Sequence, residues 1–114
     1  MDNCIFCKII NKEIPSTVVY EDDRVLAFKD IQPVAPVHVL IVPKKHIPSV
    51  KDIQPGEEGY LVDIHKAAVK IAQELGIAEN GFRLINNCGK GGGQTVFHLH
   101  YHLIGGAELG AKLI

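Results

Sequence analysis

Residues 94–106 read QTVFHLHYHLIGG, and three of the chain's six histidines, His98, His100 and His102, fall there at every second position. Side chains alternate across a strand, so the pattern predicts a strand over residues 96–105 with all three imidazoles on one face. Each two-residue step is roughly 7 Å. Phe97, Leu99, Tyr101 and Leu103 take the opposite face and are the expected core side. Solvent-facing strand positions favour Lys, Glu and Thr, so a row of imidazoles is not an ordinary polar face. A bare His-x-His also occurs in unrelated metal sites; the triple row points to chemistry. A neutral imidazole is a good nucleophile and leaving group near neutrality. Neighbouring imidazoles oppose simultaneous protonation, so one stays neutral while another can hold a proton. That combination suits displacement at phosphorus, and His100, with a partner on each side, is the expected nucleophile.

The preceding loop fits a phosphate. NCGKGGGQ, residues 87–94, carries Gly89, Gly91, Gly92 and Gly93, whose backbone N–H groups can approach an anion closely. It is not a P-loop, because Lys90 is followed by Gly91 rather than Ser or Thr, and a strand rather than a helix comes next. Further out, CIFCKIINKEIP predicts a short helix closed by Pro15. TVVYE (17–21), RVLAFKD (24–30), HVLIVP (38–43) and FRLIN (82–86) read as strands. Asp22 and Asp23 form a tight turn, and the two prolines of IQPVAPV make that loop irregular. Leu61, Ile64, His65, Ala68, Ile71, Ala72 and Leu75 repeat at helical spacing and mark the buried stripe of one long helix, with Lys70 and Glu74 placed to pair on its outer face and Gly76 just past its end. One long helix and one short helix among five hairpin-spaced strands predict an α+β domain with an antiparallel sheet.

The chain has 114 residues, a net charge of −1 and 46% hydrophobic residues, enough for one domain with a real core over residues 1–114. No basic footprint points to a nucleic-acid polymer, although a single nucleotide fits a locally basic pocket. No apolar run is long enough to span a bilayer, and MDNCIFCKII lacks the pattern of a signal peptide, so a cytoplasmic protein without membrane partners is expected. Three cysteines in that setting favour a metal or free thiols over a disulfide framework. Cys4 and Cys7 admit three readings: a redox pair, two buried thiols, or half of a zinc site. The redox reading needs a preceding strand, and three residues leave no room for one.

HLHYHLIGG resembles the alternating histidine signature of the histidine-triad (HIT) nucleotide-binding hydrolases. The likeness extends through CIFCKIINKEIP, YEDDRVLAFKDIQPVAPVHVLIVPKKHI and NNCGKGGGQTVFHLH, in the expected order over nearly the whole chain. It is greatest to the Hint-like nucleoside phosphoramidase branch of zinc-bearing bacterial type. The resemblance implies a HIT-like fold and cleavage of the P–N bond of nucleoside 5′-phosphoramidates, with a preference for purines, through a nucleotidyl-histidine on His100. By the same likeness His102 contacts the phosphate, His38 orients the nucleophile and Asp30 holds the ribose hydroxyls. Asn87, Gln94, Thr95 and the glycine loop through Gly93 surround the phosphate and leaving group. Many relatives have Ser at the position of Thr95, so its added methyl bears on leaving-group preference. Ile5, Phe6, Ile14, Phe28, Ile31 and Leu40 match the base pocket. Zinc-bearing relatives and the related galactose-1-phosphate uridylyltransferases supply the ligand set Cys4, Cys7, His46 and His98. Such a zinc is structural, leaves no open position and is not needed for the chemical step; His98 is then no free proton donor. Cys88 is expected to be a bystander and His65 a core-edge residue. The family also implies a homodimer joining two sheets. The ending GGAELGAKLI lacks the tryptophan-bearing tail by which some relatives reach the partner's active site. Competing readings are a dinucleoside polyphosphate hydrolase or nucleotidylyltransferase, and a non-catalytic zinc- and nucleotide-binding module.

Overall fold

The computed structural model describes residues 3–114. In chain order the elements are α1 (Ile5–Ile10), β1 (Val18–Glu21), β2 (Val25–Lys29), β3 (Val37–Pro43), α2 (Gly59–Glu74), β4 (Phe82–Asn86) and β5 (Tyr101–Gly105), with short 3-10 turns at Val50–Asp52 and Lys90–Gly92. The strands form one sheet in the order β1-β2-β3-β5-β4, antiparallel at every pairing. The α+β architecture expected from the sequence is the one observed.

Local chemistry explains the joints. The Asp22 carboxylate accepts from the N–H groups of Arg24 and Val25, each at 2.8 Å, and closes the β1–β2 hairpin. At the end of α2, Gly76 takes φ 76°, and the Ile77 N–H donates back to Ala72 while Gly76 donates to Gln73. This left-handed cap swings buried Ile77 onto the core.

β2 and β3 are apolar on both faces because both faces are covered. Val25, Ala27, Val39, Ile41, Leu99 and Leu103 pack under Ile64, Ala67, Ala68, Ile71 and Ala72 of α2. The three alanines bring the helix close to the sheet. On the other face Leu26, Phe28, Leu40 and Val42 meet Phe6 and Ile9 of α1. The helical stripe differs from the expected one at its edges. Ala67 is buried, whereas His65 and Leu75 are exposed, since the sheet lies beneath one narrow side of the helix and Leu75 is its C-cap. His65 still meets Tyr101 edge-on, ring centroids 5.1 Å apart. Lys70 lies 5.4 Å from the Tyr20 ring rather than pairing with Glu74. α1 stops at Ile10, well short of Pro15, and Lys12 takes φ 64°.

The histidine strand is shorter than the sequence predicts. The ladder begins at Tyr101, which lies opposite both Ile41 and Asn86. Residues 96–100 run outside it, tied by the Leu99 N–H to the Ile47 carbonyl at 2.6 Å. The cause is that β4 ends at Asn86 and gives way to the glycine loop, so no neighbour continues on that side. Alternation nevertheless persists: Leu99 points into the α2 core and His98 and His100 into the α1 side. Phe97 departs from it; nothing covers it beyond the ladder, and it is 53% exposed instead of joining the core.

Candidate active site and metal centre

The sheet face beneath α1 gathers the histidines. Leu40 of β3 lies opposite His102 of β5, and His38 opposite Ile104, so His38, Leu40 and His102 share one face. Phe6 of α1 stands edge-on to the rings of His98 and His100, with centroids at 6.0 and 5.1 Å.

Hydrogen bonds assign the tautomers. His100 Nδ1 lies 2.8 Å from the His98 carbonyl oxygen, which can only accept, so Nδ1 carries the hydrogen and Nε2 the lone pair. Burial lowers the pKa of His100, keeping that lone pair free. His38 Nδ1 accepts from the Val34 N–H at 3.1 Å; its Nε2–H therefore donates to His102 Nδ1 at 2.9 Å. His102 in turn presents Nε2–H as a donor. Burial first, then the neighbouring His100 and His38, pushes the His102 pKa down to about 4. Thus His38 meets His102, not His100. Asp30 Oδ2 lies 3.4 Å from His38 Nε2, and Asp30 Oδ1 accepts from the Gln32 N–H at 2.7 Å. Asp30, His38 and His102 are close enough to bind a metal, but His38 Nε2 already carries a hydrogen, and a metal there would break the Val34 bond or strip that proton. The trio reads as a hydrogen-bond chain.

The second cluster has the opposite character. His98, fully buried, donates from Nε2 to the Pro43 carbonyl at 2.8 Å, turning the Nδ1 lone pair toward Cys4 Sγ at 3.4 Å and Cys7 Sγ at 3.6 Å. His46 Nδ1 lies 3.3 Å from Cys7 Sγ. The donor atoms of Cys4, Cys7, His46 and His98 all lie within 4.8 Å of one another and could hold a metal ion. Burial, and then the hydrogen bond and charge of Cys4, push the Cys7 thiol up to about 11, so Cys7 resists ionisation until a cation compensates. The Pro43 bond is the outer contact that orients a metal-binding histidine.

The glycine loop is ordered by its own side chains. Gln94, 4% exposed, accepts from the Gly89 N–H at 2.8 Å and donates to the carbonyls of Pro48 at 2.7 Å and Val96 at 3.0 Å. Both amide hydrogens are committed, so Gln94 clasps the loop rather than offering a donor to a phosphate. Asn87 donates to Gly92 at 2.8 Å, and Gly89 and Gly93 take φ 76° and 85°. Thr95 is exposed beside the loop. Of the six residues expected to form a base pocket, Phe6, Phe28 and Leu40 are buried in one cluster with Ile14 against it. Ile5 is partly exposed at 46%, and Ile31, 94% exposed, stands clear of that cluster. Val34, Pro43 and the carbonyl of His98 act through backbone atoms, which no side-chain pattern reveals.

Known proteins resemble this chain in sequence and fold. The HIT domain family pattern matches residues 11–109. The purine nucleoside phosphoramidase of Escherichia coli (strain K12) is 51% identical over 112 residues, covering 98% of this chain and 94% of that protein. A HIT family hydrolase from Clostridium thermocellum superposes with TM-score 0.98 at 62% identity, over 100% of this chain and 99% of that one. A histidine triad nucleotide-binding protein from Candida albicans superposes with TM-score 0.82 at 40% identity, over 89% and 73%. No helix among the described residues is long and apolar enough to cross a membrane. With its histidine row, its fold and these likenesses in agreement, the chain belongs to the HIT family.

Proposed function

We propose that this protein hydrolyses purine nucleoside 5′-phosphoramidates through a nucleotidyl-histidine on His100. The observation that carries the reading is the 2.8 Å bond from His100 Nδ1–H to the His98 carbonyl, which leaves Nε2 unprotonated. Nε2 attacks the α-phosphorus; a P–N bond to His100 forms and the P–N bond to the amine breaks. The ring then carries positive charge, which the His98 carbonyl stabilises. Water next attacks phosphorus, the bond to His100 breaks and the mononucleotide departs. The leaving amine takes a proton from solvent in the first step, and the attacking water returns one to solvent in the second. His102 Nε2–H, held in place by His38, donates to a phosphoryl oxygen, and the glycine loop with Asn87 and Thr95 surrounds the rest of the group. Phe6, Phe28, Leu40 and Ile14 offer the base an apolar wall, and the exposed side chains of Ile5 and Ile31 are free to pack on a bound base. Asp30 accepts from the ribose hydroxyls with the lone pairs that Gln32 leaves free. The name of the E. coli relative supports the substrate class.

Zinc is the ion for the second cluster. Tetrahedral zinc with Zn–S of about 2.3 Å and Zn–N of about 2.0–2.1 Å places N and S about 3.5 Å apart. Three of the four N–S separations here are 3.3, 3.4 and 3.6 Å, and the fourth lies within 4.8 Å. Four protein ligands close the site, so the zinc is structural, has no open position for substrate and takes no direct part in the chemical step. A homodimer through β4 suits the sheet, because β4 is an edge strand and α2 exposes Val62 and Val69. We read the protein as a single domain that acts in the cytoplasm.

Turnover of adenosine 5′-phosphoramidate by the wild type and by His100→Ala tests the function. Release of AMP by the wild type and its loss in the variant is the expected result; no turnover by either protein, or equal turnover by both, contradicts it. Zinc content of protein purified without added metal, and its mass in solution, test the other two statements.

A further inference from the structure

His98 belongs to two sites at once. Its ring is held at both nitrogens, by Pro43 on one side and the cysteine cluster on the other, while its carbonyl oxygen holds the Nδ1–H of His100. Residues 96–100 lie outside the ladder: buried Leu99 ties them to Ile47, the neighbour of His46, Gln94 holds the Val96 carbonyl and Asn86 the His100 carbonyl, while His98 itself is gripped through its ring by Pro43 and the cluster. A second connection runs through α1. Cys4 caps this helix by accepting from the Cys7 N–H at 3.3 Å, and the same helix sets Phe6 edge-on against the His100 ring.

From this we propose that the Cys4, Cys7, His46 and His98 centre positions the nucleophile. The cluster joins three separate pieces of chain: the start of α1, the segment after β3, and residues 96–100. Closing it fixes the orientation of the residue-98 carbonyl and the wall formed by Phe6. Those two contacts set the tautomer and aim of His100. His98 is thus a positioning residue acting through its backbone, and Cys4, Cys7 and His46 act through it. The inference rests on His100 being the nucleophile.

The test uses the full chain labelled with 15N-histidine, loaded with zinc, stripped by a chelator, and reloaded. Four quantities are read at fixed pH: the 15N signature of the His100 tautomer, the single-turnover rate of adduct formation, the Kd for AMP, and circular dichroism to establish that the chain is folded. Stripping should replace the single Nδ1–H signature with a mixture and slow adduct formation by about ten- to a hundred-fold. AMP affinity should fall by less than the rate does, since none of the four ligands carries the base or ribose and Phe6 is only one of the four residues of the base wall. Zinc should restore the wild type but not Cys7→Ser. Unchanged tautomer and rate in a folded, stripped chain overturn the proposal. If stripping unfolds the chain, cadmium replaces zinc: the larger ion shifts the ligands of a folded protein, so the His100 signature and rate should differ between the two forms. Identical values on both metals also overturn it. Full turnover by His100→Ala would instead defeat the functional reading, a separate outcome.

Discussion

Asp30→Asn isolates the recognition of ribose. Asparagine keeps the oxygen that accepts from the Gln32 N–H at 2.7 Å, so the turn after β2 should survive. The substitution replaces Oδ2 by an NH2 group. That group faces His38 Nε2–H, 3.4 Å from the present oxygen, and is a donor where a ribose hydroxyl needs an acceptor. A hydrogen bond to a charged group is worth about 1.5–3 kcal/mol, which converts to about 10- to 150-fold in Kd. AMP binding to Asp30→Asn should weaken by that factor, measured by calorimetry on both proteins. The companion ligand is 2′,3′-dideoxy-AMP, which lacks both hydroxyls. Its affinity should change by less than about three-fold, so that the coupling between carboxylate and hydroxyls accounts for most of the loss. Equal losses with the two nucleotides would refute ribose recognition by Asp30 and assign the carboxylate to the His38–His102 chain alone.

Gln94→Leu removes three hydrogen bonds at a buried position and should lower stability by about 2–4 kcal/mol, read as a shift in the urea midpoint; a loss below about 0.5 kcal/mol would refute the clasp. Gly105→Ala adds a Cβ 2.8 Å from Ile77 Cδ1, and because Ile77 is buried the strain should cost about 1–3 kcal/mol in the same measurement. Acid should destabilise the protein: His98 and His102 stay unprotonated in the fold down to about 4, whereas in the unfolded chain they take up protons near 6.5. The unfolded state binds more protons inside that window, so stability should be level above pH 6.5 and fall as the pH drops towards 4. Equal stability at the two ends would contradict the depressed values.

The fold was readable where burial imposes a period. β2 and β3 are continuous apolar runs because both sheet faces are covered, and α2 shows its core side through Ile64, Ala68 and Ile71. The histidine row was readable because alternation survives even where the ladder stops. What the side-chain pattern could not convey was the work of the backbone. The ladder ends before His100 because β4 turns into the glycine loop, and Phe97 is left uncovered for that reason. Gln94 looks like a phosphate ligand in a glycine-rich loop, yet its burial and three bonds make it the clasp. The Val34 N–H and the carbonyls of His98 and Pro43, which decide the tautomers of the row, are backbone groups that no side-chain pattern reveals. The four cluster ligands are separated by up to 94 residues in the chain, so their meeting is a property of the fold.

The most direct measurement of the central claim is mass spectrometry of the protein quenched without acid during turnover of adenosine 5′-phosphoramidate, with the modified residue located by fragmentation. An adenylyl group on His100, absent from His100→Ala, is the predicted result. An adduct on His98 or His102, or full turnover in the variant, would contradict it.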